Sequence, residues 1–263
     1  MTDNAATFRA LHQTPSLLIL PNAWDAGTAR LIESLGASAI ATTSAGVAWS
    51  LGYRDGDAVP FALYPKTLER IVGAVGVPVT ADIEGGYGAS PADVAANVRR
   101  VFEAGVVGIN IEDGEGTPEA LAANIAAIRA AIGPALFINA RTDVFLRNLA
   151  PGRATGEVIA RAALYRAAGC DGIFVPGMTA PADILAVVAA VTAPINVMAR
   201  PDLPDAASLA ALGVRRLSAG STIAMAALGL AGELARSFLG GNAQPLFAGA
   251  LTYPQVNALM RPV

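Results

Sequence analysis

Short, nearly all-apolar runs alternate along the chain with segments of helical period. The strand candidates are LLILPNAW from Leu17, AIATTS from Ala39, VPVTADIE from Val77 and VGINIED from Val107. They continue with ALFINART from Ala135, GIFVPG from Gly172, PINVMA from Pro194 and RRLSAG from Arg215. Between them lie amphipathic stretches such as SPADVAANVRRVFEAG, with Ser90 as predicted N-cap, and TPEALAANIAAIRAAIG, with Thr117 as cap and Glu119 in the first turn. Several of these stretches close on glycine, at Gly36, Gly105, Gly133, Gly169 and Gly213. Near-continuous apolar strands joined by helices predict a parallel sheet covered on both faces. Eight such units in 263 residues predict an α/β fold, a parallel eight-stranded (β/α)8 TIM barrel, as a single domain over residues 1–263 with a C-terminal helical extension. An open doubly wound sheet would normally carry a Gly-rich nucleotide loop after the first strand, and that position reads PNAWDAG.

The last long helical stretch, STIAMAALGLAGELARSFLGG, is apolar on most of its faces and is expected to pack against another subunit, giving a homo-oligomer (dimer or tetramer). The tail PLFAGALTYPQVNALM reads as one more docking helix. Composition agrees with a packed core: 54% of residues are hydrophobic and 15% charged. A net charge of -3 and the lack of any Arg/Lys run argue against a nucleic-acid partner. The apolar runs are cut by Gly, Pro or charge, so no membrane span is expected. MTDNAATFRALHQ lacks an apolar signal core, and a cytoplasmic protein is the default expectation.

Three scarcities narrow the chemistry further. The chain has one Cys (Cys170), one His (His12) and one Lys (Lys66). An intrachain disulfide and a Cys/His zinc site are therefore ruled out. His12 precedes the first strand and is expected at the surface. Lys66 falls early in a helix, away from the strand ends, which argues against a Schiff-base aldolase. Cys170, between a helix end and a strand start, is expected to be structural and at the rim opposite the chemistry.

Barrel active sites lie at the C-terminal ends of the strands, where alternate residues point inward. Polar residues recur at those ends with a spacing of two: Thr42 and Ser44; Thr80, Asp82 and Glu84; Asn110 and Glu112; Asn139 and Arg141; and Asn196. Three carboxylates converging on one rim repel each other unless a cation is present. Oxygen ligands without His or Cys favour Mg2+, or Mn2+ in its place, over zinc. Mg2+ keeps several waters, so one direct carboxylate and two acting through water is the expected arrangement among Asp82, Glu84 and Glu112. Arg141 is then placed to clamp a substrate carboxylate bidentately. The expected ligand is a small carboxylate that also chelates metal, such as a 2-oxo or 2-hydroxy acid, with an enolate stabilised by Mg2+ and Arg141.

Taken in order, PNAWDAGTARLIESLGASAIATTSAGVAWSLGYRDGD, TADIEGGYG, GINIEDG, INARTD and DGIFVPG resemble the isocitrate lyase/phosphoenolpyruvate mutase superfamily, over roughly Leu17 to Ser221. The resemblance implies a (β/α)8 barrel, commonly a tetramer whose eighth helix is exchanged between neighbours. The family's D-x-D-x-G-(Y/F)-G motif falls on Asp82 to Gly88. It implies Asp82 as direct Mg2+ ligand, Glu84 acting through water where relatives usually have Asp, and Glu112 near the metal. It further implies that Ser44, Ala45 and Gly46 hold the substrate's carboxylate and carbonyl, that the loop residue Asp55 closes over the site, and that Asn196 contacts substrate. Arg141 matches the arginine of the family's ART segment.

One departure bears on the reaction. Lyases of the family carry K-(K/R)-C-G-H after the fourth strand, and its Cys acts as proton donor. Here the segment reads EDGEGTPEALAAN, with no Cys, His or Lys, and the mutases' Lys- and Asn-bearing loop is missing too. Tyr53, Tyr87 and Asp55 are the candidates for the proton donor, and Glu112 is a candidate for orienting a metal-bound water. The expected activity is a Mg2+-dependent lyase acting on a small 2-oxo or 2-hydroxy acid through a pyruvate-like enolate, by C–C cleavage or decarboxylation. The alternatives are a C–P enzyme (phosphonopyruvate hydrolase or phosphoenolpyruvate mutase), with Arg200 as the one further cation after the seventh strand candidate, and a non-catalytic carboxylate-binding barrel.

Overall fold

The computed structural model describes residues 3–260. Its strands are β1 (Leu18–Leu20), β2 (Asn22–Ala23), β3 (Ile40–Thr42), β4 (Val79–Asp82), β5 (Gly108–Glu112), β6 (Phe137–Arg141), β7 (Gly172–Phe174), β8 (Ile195–Met198) and β9 (Arg216–Ser218). All pairings are parallel, in the order β1-β9-β8-β7-β6-β5-β4-β3-β2. β1 and β2 are consecutive in the chain, so the sheet curls into a nearly closed barrel. The expected first strand is divided at Pro21. Proline has no N–H for the ladder, and β1 pairs with β9 while β2 pairs with β3. Nine segments thus occupy the eight predicted strand positions.

Helices follow the strands: α2 (Ala26–Ser34), α3 (Ser44–Ser50), α4 (Tyr64–Ala74), α5 (Pro91–Glu103), α6 (Pro118–Ile132), α7 (Ala154–Ala167), α8 (Pro181–Ala190), α9 (Ala206–Ala211) and α10 (Thr222–Leu239). α1 (Asn4–Leu11) precedes the barrel and α11 (Tyr253–Leu259) ends the described chain. The predicted caps form: the Ser90 hydroxyl accepts from the Asp93 N–H, and the Thr117 hydroxyl from the Ala120 N–H. The main core lies between the helices and the outer faces of the strands, with Ile109, Ile111, Ile138 and Ile173 packed on Val98, Ile125, Tyr165 and Ile184.

The N-terminal mouth of the barrel is plugged by α1. Phe8 and Phe137 meet edge to face at 5.5 Å between ring centroids, and His12 stacks on Phe137 at 4.3 Å. Gly108 makes room for the plug, because a Cβ there would lie 2.7 Å from the Phe8 ring. Arg9 and Arg129 both bridge to Asp171 at 2.6 Å, fastening α1 to this rim. Cys170 is buried beside them, and burial pushes its thiol up to about 12, in keeping with an inert structural residue. Lys66 is exposed on α4.

One expectation is corrected here. His12 is not at the surface: only 3% of it is exposed, because α1 folds back beneath the barrel. Its Nδ1–H donates to the Phe8 carbonyl at 2.8 Å, and its Nε2 has no partner among the described residues. α10 is, by length and composition alone, long and apolar enough to cross a membrane. It is also the helix that follows the last barrel strand, and it carries Glu233 and Arg236. Ala224 is its one buried residue, and Met225, Leu228, Leu230 and Phe238 are exposed. α11 packs back on α2, where Arg30 Nε donates to the Leu259 carbonyl at 2.8 Å.

Burial, reinforced by Arg216, lowers the His12 pKa to about 4. Between the ordinary histidine value and this one, the unfolded chain binds a proton that the folded chain does not. Stability is therefore fully present above about pH 6.5 and falls as pH drops toward 4, by about 1.4 kcal/mol per unit from this residue. Urea unfolding of His12→Phe should lose that component relative to the unmodified chain. Identical pH slopes for the two proteins between pH 7 and 4.5 would refute the assignment.

Candidate active site

A cavity of about 270 Å3 opens at the C-terminal ends of the strands. Asn22, Ser44, Asp55, Asp82, Asn110 and Arg141 form its polar side; Leu146, Phe174 and Met198 form an apolar side, and Ser218, Gly220 and Ser221 complete the wall. A larger depression of about 470 Å3 lies between residues 57–61 and the Gly85–Gly88 turn, but it contains none of Ser44, Asp82 or Arg141. Of the predicted residues, the barrel-axis cavity brings together Ser44, Ala45, Asp55, Asp82 and Arg141.

Asp82, the last residue of β4, is buried at this cavity. Its N–H donates to Thr42 Oγ1 at 3.0 Å, and the Tyr64 hydroxyl donates to its carbonyl. Its side-chain Oδ1 accepts from the Glu84 N–H at 3.2 Å. Burial raises its pKa, and the Arg141 charge opposes that rise. Glu112 ends β5 directly opposite Arg141 in the strand register, and its Oε2 lies 2.6 Å from Arg141 Nη1. Burial pushes Glu112 up to about 8 against the pull of Arg141.

Glu84 departs from expectation. The strand ends at Asp82, and Glu84 adopts a left-handed conformation with φ of 52°. The spacing-of-two argument therefore stops applying, and the side chain swings away from Asp82. Its carboxylate accepts from the Asp57 N–H and the Tyr87 hydroxyl. Burial still raises its pKa, partly offset by those two bonds. Tyr87 is thereby committed to Glu84 and packs on Phe61 and Tyr64, at 5.6 Å between centroids.

Arg141 is more fully engaged than a free substrate clamp. Nε and Nη2 form a side-on fork with Asp143, at 2.7 and 3.0 Å, while Nη1 meets Glu112. Guanidinium carries five N–H donors, so one on each terminal nitrogen is left for a ligand. Asp143 is fully buried. It also accepts from Arg147 Nε at 2.9 Å, and its own N–H donates to Asp113 at 2.9 Å. Asp113 in turn accepts from Arg161 at 2.8 Å and the Tyr165 hydroxyl at 2.6 Å. This buried chain runs from α7 to the cavity wall and fixes the Arg141 rotamer.

The other predicted residues divide. Ser44 and Ala45 open α3 and line the cavity, with Thr43 as N-cap. First-turn N–H groups have no intrahelical acceptor, so these two are placed to receive an anionic oxygen. Asp55 lines the mouth. Gly46 faces the other way, into an apolar groove with Trp24, Trp49 and Leu228. A Cβ at Gly46 would lie 2.6 Å from the Thr43 methyl and 2.9 Å from Trp24 Cβ, so its role is close packing. Tyr53 is 37% exposed and outside the cavity lining. Asn196 is buried below the lining, with Oδ1 accepting from the Ser218 hydroxyl at 3.2 Å and Nδ2 unpartnered. Arg200 is exposed and faces Asp202 at 3.7 Å.

Sequence reasoning missed Asn22, Asp143, Asp113 and Arg216. Asn22 ties the barrel's closure to the site: Nδ2 donates to the Thr42 carbonyl at 2.8 Å, and Oδ1 accepts from the Ala219 and Gly220 N–H groups at 2.9 and 3.0 Å. Its signal was an amide just after Pro21 at a strand end. For Arg216 the signal was a charge inside a strand otherwise directed inward.

Among the described residues, no three His, Cys, Asp or Glu side chains gather to hold a metal ion. What remains fits Mg2+ in its usual manner, with few direct protein ligands. Asp82 is a buried carboxylate at the cavity whose pKa burial raises, against the pull of Arg141. Ser44, Asp55 and Ser218 line the same cavity and bring further oxygens to it.

Comparison with known proteins matches this arrangement to a family. The family described as phosphoenolpyruvate phosphomutase matches residues 8–239. An uncharacterized protein of Mycobacterium tuberculosis (strain H37Rv) is 36% identical over 91% of this chain and 91% of its own length. Oxaloacetate decarboxylase of Bradyrhizobium sp. is 33% identical over 69% of this chain and 66% of its own. Among solved structures, a phosphonopyruvate hydrolase complexed with oxalate and Mg2+ superposes with a TM-score of 0.85 at 25% identity, covering 98% of this chain and 95% of that one. The chain belongs to the phosphoenolpyruvate phosphomutase family, within the isocitrate lyase/phosphoenolpyruvate mutase superfamily.

Proposed function

We propose that this chain is a Mg2+-dependent lyase that breaks or makes a C–C bond beside the carboxylate of a small 2-oxo or 2-hydroxy acid, through a pyruvate-like enolate. The observation that carries the reading is Asp82: a buried carboxylate, under-compensated in charge, facing a small cavity surrounded by N–H and O–H donors. Bound Mg2+ would neutralise negative charge accumulating on substrate oxygens. Asp82 would hold the ion. The first-turn N–H groups at Ser44 and Ala45, the Ser44 hydroxyl and the uncommitted N–H groups of Arg141 would orient the carboxylate. Leu146, Phe174 and Met198 would exclude water from the opposite side.

No Tyr, His, Cys or Lys lines the cavity among the described residues. That favours decarboxylation of an oxaloacetate-like acid, since departing CO2 needs no proton and water can protonate the enolate. The name of the Bradyrhizobium relative supports the same substrate type. C–P chemistry is less well supported, because a phosphonate dianion would find most of the Arg141 donors already taken. We also infer a homo-oligomer: α10 is largely bare, and Ile19 on the outer face of β1 is 58% exposed.

Purified protein with Mg2+ should release pyruvate from at least one member of a panel of 2-oxo diacids, 2-hydroxy diacids and phosphonopyruvate. Asp82→Asn should lower that turnover by at least about 100-fold and abolish its Mg2+ dependence. Wild-type turnover in this variant would sink the metal assignment. Oxalate binding without turnover of any compound would identify a binding barrel instead. Asp143→Ala leaves Arg141 and Arg147 without their shared carboxylate and should cost about 3–5 kcal/mol of folding stability, read by urea unfolding. Light scattering on an eluting size-exclusion peak should give at least twice the chain mass, and a monomeric mass would overturn the oligomer.

A further inference from the structure

We infer that Asn110 is a ligand-contacting hydrogen-bond donor in the cavity floor, and that Arg216 is the positioning residue that turns its amide toward the ligand. Asn110 is the middle residue of β5, in register with Asp82 on one side and Asn139 on the other. It lines the cavity. Its Oδ1 receives two donors from inside the barrel, Asn139 Nδ2 at 2.9 Å and Arg216 Nη2 at 3.2 Å.

The two ends of an asparagine amide are told apart by their partners. Asn139 alone could not decide, since its own amide could be turned. Arg216 can, because guanidinium has donors and no acceptor. The Asn110 atom facing Arg216 must be the oxygen, so the other end of the amide is the NH2 group. That Nδ2 makes no hydrogen bond within the described protein, and it is not among the side-chain nitrogens sealed from solvent without a partner. It therefore opens onto the cavity as a donor pair. Asn139 is seated in turn by Gly172, where a Cβ would lie 2.8 Å from Asn139 Oδ1.

Arg216 is hard to explain by stability. It is 1% exposed, its Nε and Nη1 have no partner among the described residues, and no carboxylate forms a salt bridge with it. A buried unpaired cation is strongly unfavourable, and an apolar side chain of similar length would pack there at lower cost. Burial lowers its pKa to about 9, which still leaves it charged at neutral pH. What it supplies is an orientation and a positive field beneath the floor. Both favour a carbonyl or carboxylate oxygen above Asn110. An ammonium group at that point would meet donors and positive charge. The site should thus accept a 2-oxo acid and refuse the 2-amino acid of the same skeleton.

This deepens the proposed function and rests on it. The test is calorimetric binding of oxalate in the presence of Mg2+ to the unmodified chain, Asn110→Asp, Arg216→Met and Arg216→Lys, with melting temperatures measured alongside. Asn110→Asp should weaken oxalate by roughly 10–100-fold without lowering the melting temperature greatly. Arg216→Met should weaken it by roughly 5–10-fold while the melting temperature holds or rises, and Arg216→Lys should recover much of the loss. A merely structural arginine would give the opposite pattern, with stability lost and affinity kept. Pyruvate should displace oxalate from the unmodified chain and alanine should not. Wild-type affinity in both Asn110→Asp and Arg216→Met, or equal displacement by alanine, would overturn this inference alone. Failure of the unmodified chain to bind oxalate would overturn it together with the proposed function. Should Arg216→Met not fold, the affinity of Asn110→Asp decides.

Discussion

A carboxylate taken out of water needs a counter-charge, and at the C-terminal rim of this barrel the protein supplies less than enough. Arg141 is shared between Glu112 and Asp143, and Asp143 is shared again with Arg147. Among the described residues Asp82 has no ion pair within 4 Å, and burial raises the pKa of Asp82, Glu84 and Glu112 alike. Guanidinium groups settle Asp143 and partly settle Glu112, and the residual demand falls on Asp82. Under the proposed function, a site arranged this way would favour a cation and an anionic ligand arriving together. The chain from Asp113 through Asp143 to Arg141 turns this demand into fixed geometry, because each member is oriented by two or more partners.

The two ends of the barrel divide the work. At the N-terminal rim, charges are paired on the surface side and aromatic rings close the mouth: Asp171 holds Arg9 and Arg129, while Phe8, His12 and Phe137 pack beneath the strands. The histidine there stays neutral, its pKa lowered to about 4 by burial and by the Arg216 charge. At the other rim, polar groups outnumber their protein partners. At that rim Asn22 sits just past the proline break that separates β1 from β2 and bonds to both β3 and the loop after β9. The barrel's closure and the cavity wall therefore share one side chain.

Much of this was legible in the sequence, for identifiable reasons. Parallel strands buried on both faces leave apolar runs that helices cannot imitate at such short length, so each strand position was readable. The spacing of two placed Asp82, Asn110 and Arg141 correctly because each lies within its strand. The same rule failed at Glu84, which lies beyond the strand in a left-handed turn that local pattern does not encode. His12 was misplaced because only the tertiary return of α1 buries it. Arg141 was correctly located but read as free, since the sequence does not reveal that Asp143, two residues on, occupies its fork.

The distribution of charge around the cavity also bears on which bond the site breaks. The polar wall comes from β2, β4, β5 and β6, the segment that follows β3 and the end of β9, whereas Phe174 and Met198, at the ends of β7 and β8, and Leu146 present apolar surface. A substrate anchored by one carboxylate at the polar wall would hold its distal group against the apolar one. A phosphonate dianion there would be desolvated without compensation in both ground state and transition state. A distal carboxylate leaving as CO2 would lose its charge as the bond breaks, so the same apolar surface would destabilise the reactant more than the transition state. A wall that would make a poor phosphonate site would thus favour decarboxylation, and among the described residues no Tyr, His, Cys or Lys lines the cavity beside it.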